Sequence, residues 1–146
     1  MSIHVIEKAY DIVVVGGGLS GMCAAIAAAR HGAKTAIVQN RSVFGGNASS
    51  EVRMHIVGAN SHAAKPDLAE TGILLEMLLE NKRRNPYASF PVFDSVMWEA
   101  VRFQPGLDSY LNTNMDDVVM EDGQIRTVIC HQNTTETQLR LSARIF

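Results

Sequence analysis

The chain is short of cysteine, proline and aromatic residues, with 2 Cys and 4 Pro, and with Phe, Trp and Tyr at 6% together. Cys23 and Cys130 lie far apart without metal-type spacing, which argues against both a disulfide scaffold and a thiolate zinc site. They fit a reducing compartment, and Cys23, inside an apolar helical stretch, is expected to be a buried thiol. Neither sign of charge is in excess: 13 basic against 15 acidic residues give a net −2, without the basic stripe of a nucleic-acid binder. The one basic run, Lys82-Arg83-Arg84, closes an expected helix, where cations suit the helix dipole. No basic flank marks the start as a signal peptide. The stretch from Ile12 to Ala29 carries no charge, but Gly16, Gly17, Gly18 and Gly21 punctuate it, so it reads as strand, turn and helix and not as a membrane span. A soluble, cytoplasmic protein is expected.

What is present is a 146-residue chain, 47% hydrophobic and 19% charged, enough for one domain with a real core. Asp11 to Val15 is a strand of the kind buried on both faces of a parallel sheet. The stretch LSGMCAAIAAAR then reads as a tightly packed helix, capped at Gly32, and Thr35 to Gln39 is a second buried strand. Residues 40–66 look irregular, and so long a loop is commonly functional. Asp67 and Glu70 resemble a capping box for a helix from Asp67 to Lys82. Pro91 opens another, with Val92, Phe93, Val96, Met97, Ala100 and Val101 as its apolar stripe, ended by Pro105-Gly106. From Leu107 the period is two. Leu107 to Leu111 is a strand, Val118–Met120 and Ile125–Ile129 flank the hairpin turn Asp122-Gly123, and the alternation at 139, 141, 143 and 145 makes a last strand to the end of the chain. The expected fold class is α/β: a Rossmann-like βαβ unit with a parallel sheet, two further helices and an antiparallel β-meander.

Gly16-x-Gly18-x-x-Gly21 stands between the first strand and the first helix. The first glycine permits a tight turn, the second lets backbone approach a pyrophosphate, and the third lets helix and strand lie close. The helix N-terminus adds free N–H groups and partial positive charge. An acid that takes the ribose hydroxyls commonly ends the second strand, and here Gln39 stands in its place. Glutamine accepts through its carbonyl oxygen and donates through its amide, without charge assistance. Two readings stay open on these residues. Arg41 beside a neutral residue 39 could read a 2′-phosphate, hence an NADP site or a nicotinamide-nucleotide dehydrogenase; or the ribose of FAD is held by a neutral side chain.

The residues after Gln39 run NRSVFGGN, with a glycine pair at 45–46. With Val13 to Gly18, Gly21, Ala25, Gly32 and Ile37 to Gln39, this resembles the two-dinucleotide-binding-domain, glutathione-reductase-like FAD-dependent oxidoreductases. The string VQNRSVFGGNASSEVRMHIVGA looks more specifically like the FAD-dependent oxidoreductases of bacterial carbohydrate-utilising organisms. The resemblance covers essentially the whole chain. It implies FAD as cofactor, with Gly16, Gly18 and Gly21 at the pyrophosphate and Gln39 at the adenosine ribose. Asn40 and Arg41 would lie near the adenine or its ribose, and Gly45, Gly46, Asn47 and Ser49 would line the path toward the flavin. It also implies that residues 1–146 are an N-terminal FAD-binding domain, incomplete before its next cofactor contact and its substrate domain; the alternative is a truncated domain without cofactor or activity of its own. The substrate would be a small molecule met through that missing domain, with no nucleic acid or membrane as partner, and a homo-oligomer is expected where cover is missing.

Other constellations are weaker. His55 and His62 lack a third metal ligand. Glu51 and Arg53 read as a mutual pair or as cofactor contacts, with plain loop contacts ahead of both. Ser49-Ser50 has no positioned histidine or acid. His31 suits a helix end, Met97 and Trp98 suit core and interface, and Asp116, Asp117, Glu121 and Asp122 suit a solvated face. No residue is assigned a catalytic role.

Overall fold

A computed structural model describes residues 4–59 and 69–146. The strands are β1 (His4–Ala9), β2 (Ile12–Val15), β3 (Thr35–Val38), β4 (Leu107–Tyr110), β5 (Thr113–Glu121), β6 (Gln124–Gln132) and β7 (Thr137–Ser142). The helices are α1 (Leu19–Arg30), α2 (Gly72–Arg84) and α3 (Phe90–Arg102). They form two sheets, a parallel one of order β2-β3-β4 and a four-stranded one of order β1-β7-β6-β5. The expected βαβ unit is β2-α1-β3, with Ile12 beside Thr35 and Val15 beside Val38.

Every residue of β3 is buried because the strand faces two cores. Ile37 joins Met22, Ile26, Phe44, Met97 and Val101 on the helix side. Ala36 and Val38 join Val13, Val128, Leu139 and Leu141 between the two sheets. The result is three layers: helices, parallel sheet, meander. Burial of this kind supplies most of the stabilisation, at roughly 25 cal/mol per Å² of apolar surface.

The meander is as expected at its turn. Asp122 (φ 49°) and Gly123 (φ 74°) both take left-handed conformations, as a two-residue hairpin requires. It differs elsewhere. β5 begins at Thr113, because its first half is a bulged strand with a largely exposed, polar face. The meander also gains β1, which pairs parallel to β7 from His4–Thr137 to Ala9–Ser142. The exposed pattern of β1 carries no alternation to announce it. β7 stops at Ser142 and does not continue to the end. There the chain changes sheets: Ile145 forms a parallel bridge with Ile12, and Val13 N–H donates to the Ile145 carbonyl at 3.0 Å.

Helix α2 begins at Gly72, not Asp67, and extends to Arg84. Asp67 lies outside the described residues, and the Glu70 carboxylate is turned to the Ala59 N–H, 2.9 Å away, instead of capping a helix. Cys23 is only half-buried on the flank of α1, whereas Cys130 is fully buried; both are free thiols. Burial pushes the Cys130 thiol up to about 11, so it stays protonated and inert at neutral pH. Where β1 passes into β2, the Tyr10 hydroxyl lies 2.6 Å from both Asp108 Oδ2 and the Tyr110 hydroxyl, tying this corner to β4. Burial, with those two partners, pushes the Tyr10 phenol well above its ordinary value. No helix among the described residues is long and apolar enough to cross a membrane.

Candidate functional site

The site lies at the C-terminal ends of β2 and β3. Gly16 turns the chain out of β2 with φ +116°, a region side chains rarely adopt. Gly18 is the N-cap of α1, extended at φ −71°, with no side chain to cap the helix and no acid in its first turn. The first N–H groups and the positive end of α1 are therefore left for a ligand. A Cβ on Gly18 would meet nothing within 4 Å, so the approach to the turn is open. A Cβ on Gly21 would fall inside the radius of the Gly16 carbonyl oxygen, 3.1 Å from its carbon and 3.3 Å from Val14 Cγ1. The three glycines thus differ in what they do: one bends, one leaves space, one permits contact.

The glycine pair, distant in sequence, is bonded to this turn. Gly45 N–H donates to the Gly17 carbonyl at 2.8 Å, and Gly18 and Gly45 form a parallel bridge. Gly45 is also packed against Met97 of α3, whose Cε would lie 2.5 Å from an added Cβ. Residues 46–48 make one 3-10 turn. Ser49 is fully buried, and its hydroxyl donates back to the Gly46 carbonyl at 2.7 Å. Asn47 is exposed.

Gln39 is buried beneath the glycine turn. Its Oε1 accepts from Gly17 N–H at 2.9 Å and its Nε2 donates to the Val43 carbonyl at 3.2 Å. Since a backbone N–H only donates and a carbonyl only accepts, these partners fix which end of the amide is which. Asn40, Val15, Gly16, Thr113, Asn114 and Met115 wall a cavity of about 230 Å³ above Gln39. Arg41 points elsewhere, into an exposed ion pair with Glu51 at 3.1 Å. Glu51 is therefore paired with Arg41 and not with Arg53, which donates from Nε to the Ser50 carbonyl at 3.0 Å. His55 lies against Phe90 with ring centroids 5.2 Å apart, beside an apolar cavity of about 310 Å³. His62 lies outside the described residues. Trp98 is part-exposed on α3 and meets Phe103 edge to face, while Met97 is core. No group of three potential metal ligands exists among the described residues.

Two parts of the site belong to no motif. Thr113 to Met115 reach it only through the long-range packing of β5 beside β3. The other is Asp94, buried on α3, whose Oδ1 accepts from Ser50 N–H at 2.9 Å and holds the loop that follows the glycine pair. A signal exists: in FPVFDSVMWEAVR, Asp94 stands on the same helical face as Phe90, Phe93, Met97 and Val101, where an acid is out of place without a partner. Replacing Asp94 with alanine is expected to cost about 1–3 kcal/mol, since Ser50 N–H loses its acceptor, whereas asparagine keeps the acceptor and most of the stability. Denaturant unfolding of both variants checks this, and equal midpoints for alanine and wild type would refute it.

The chain matches the family model described as FAD dependent oxidoreductase over residues 11–146. It is 60% identical over 37 residues to the dihydrolipoyl dehydrogenase of Trypanosoma brucei brucei, which is 25% of this chain and 8% of that protein. It is 46% identical over 41 residues to the soluble pyridine nucleotide transhydrogenase of Hahella chejuensis, 28% of this chain and 9% of the relative. The matched segments thus span less than a tenth of either relative. In fold it resembles the myxobacterial chondrochloren halogenase, described as a variant of FAD-dependent halogenases, with TM-score 0.61 and 19% identity over 94% of this chain and 36% of that one. A match over nearly the whole chain, on a fold shared with known flavoproteins and with its glycine motifs converging at one helix end, leaves one conclusion: the chain belongs to the FAD dependent oxidoreductase family.

Proposed function

We propose that residues 1–146 are the N-terminal FAD-binding domain of a longer flavin-dependent oxidoreductase, whose small-molecule substrate is met by residues beyond this chain. The observation that carries the reading is the convergence of Gly16–Gly18 and Gly45–Gly46 at the uncapped N-terminus of α1, with open space at Gly18. Gly16 and Gly18 with the first turn of α1 would bind the pyrophosphate, and Gly21 would keep that turn against β2. Asn40 would border the adenosine half in the cavity above Gln39. Gly45, Gly46, Asn47 and Ser49 would shape the path toward the flavin, Ser49 through the turn it holds. FAD supplies the redox chemistry when bound, and these residues bind and orient it. Arg41 counts against a 2′-phosphate reader, because its guanidinium already meets Glu51. Exposed Met54 and Val57 in the loop and the exposed Trp98–Phe103 pair at the end of α3 are apolar groups that a further domain or a second copy of the chain would cover. Two free thiols fit the cytoplasm.

The test is a titration of the chain with FAD, followed by flavin fluorescence, with FMN, NAD and NADP as competitors. Saturable binding that FAD alone displaces efficiently is the expected result. Preference for NADP would replace this reading with the 2′-phosphate one.

A further inference from the structure

Gln39 stands where an acid would take ribose hydroxyls, yet both ends of its amide are used inside the protein. One end holds the middle of the glycine turn at Gly17, and the other holds the turn after β3 at Val43. The backbone closes the arrangement: Gly17 carbonyl accepts from Gly45 N–H, so Gln39 sits inside a ring of contacts joining the two glycine motifs. We propose that Gln39 is a positioning residue, a neutral clamp that sets the spacing between the glycine turn and the glycine pair, and that the site requires a hydrogen-bond donor at its second end. This rests on the FAD reading for its effect on binding, but not for its effect on the apo-protein.

The requirement follows from Val43. A carboxylate at position 39 could still accept from Gly17 N–H, but its second oxygen would face the Val43 carbonyl, two acceptors at hydrogen-bond distance in a buried place. A protonated carboxyl would reproduce both bonds. The bonded partners of the amide, the Gly17 N–H and the Val43 carbonyl, are uncharged, and Gln39 also lines the cavity walled by Asn40, Thr113 and Asn114. Charged or polar influences come from the Arg41–Glu51 pair at the surface, from Asp116 on β5, which accepts from the cavity-lining Asn114, from the Tyr110 hydroxyl on β4, which is bonded to Tyr10, and from the partial positive end of α1, which favours a carboxylate. Gln39→Glu measures whether the Val43 carbonyl outweighs that helix end.

If the clamp needs a donor, the buried carboxyl that Gln39→Glu introduces has a folded-state pKa raised above its unfolded value of about 4.3. Its contribution is then fully present below the unfolded value and lost as pH rises through the folded one. Thermal unfolding of the apo-chain should therefore show Gln39→Glu close to wild type at pH 4 and lower by roughly 4 °C or more at pH 8. FAD binding by the variant should weaken about tenfold relative to wild type over the same interval, each variant being read against wild type at the same pH. Gln39→Ala should be weakened equally at both pH values. A Gln39→Glu variant with a flat profile, with tighter binding at high pH, or unable to fold at pH 4 where Gln39→Ala folds, would overturn the clamp. Failure of wild type to bind FAD would sink the family-based reading of the site, while the unfolding comparison would still decide the clamp.

Discussion

Replacing Gly21 with alanine should destabilise the chain by about 3 kcal/mol and remove measurable FAD binding. Two effects of opposite sign meet here. Alanine is favoured over glycine in a helix by up to about 1 kcal/mol, so propensity alone predicts a gain. The new methyl would lie inside the Gly16 carbonyl oxygen and against Val14. The first is backbone just past β2, anchored by the Gly16 N–H to the Val38 carbonyl, and the second is a short branched side chain on the paired strand, so no long flexible side chain can swing away. Relief requires α1 to lift off β2, which opens the packing of Met22, Ala25 and Ile26 on the parallel sheet. Sterics therefore win. Urea unfolding reads the outcome directly: a midpoint at or above wild type would mean that the helix sits less tightly on the strand than described.

Gly18 should behave in the opposite way. Its φ of −71° suits any residue, and a Cβ there meets nothing within 4 Å. Gly18→Val should thus change stability by less than about 1 kcal/mol, the scale of an altered N-cap preference. Yet the branched side chain would occupy the space left for a pyrophosphate at the helix end. FAD affinity should fall by about a hundredfold or more, on the order of 3 kcal/mol. The pair is informative because the two glycines are neighbours in one motif: one variant separates binding from folding, and the other loses both. Full FAD affinity in a folded Gly18→Val chain would move the cofactor away from this turn.

The contrast explains what is legible in the sequence. The glycine turn, its flanking strand and helix, the Asp122-Gly123 hairpin and the apolar faces of β3 and α3 are local demands on conformation or burial, and local demands leave residue-type signatures. The glycine pair is visible as a motif, although its bond to Gly17 is a matter of tertiary contact. β1 is not visible, because an edge strand with mostly exposed side chains has no alternation to show. The start of α2 is misplaced by a spacing rule that Asp67 and Glu70 satisfy, while the Glu70 carboxylate has a better use at Ala59. Gln39 reads as a ribose ligand from its place at the end of a strand, while its bonds to Gly17 and Val43 are matters of tertiary contact that residue type does not announce. Asp94 interrupts an apolar stripe, and the Ser50 N–H that accounts for it is brought there only by tertiary packing.

The passage of the chain between sheets near Ser142 has a consequence for assembly. β1 has β7 as its sheet partner, and the outer edge of β2 meets Ile145. Tyr10 is likewise bonded to Asp108 and Tyr110, on the far side of all three helices in sequence. During synthesis β1 thus waits for β7, at the other end of the described residues, before it has backbone partners. Closing so long a loop carries an entropic cost that local helix formation does not, so α1, α2 and α3 can form early while β1 remains unpaired. A strand made early is then among the last to be seated, and until it is, an unsatisfied strand edge is exposed to other nascent chains.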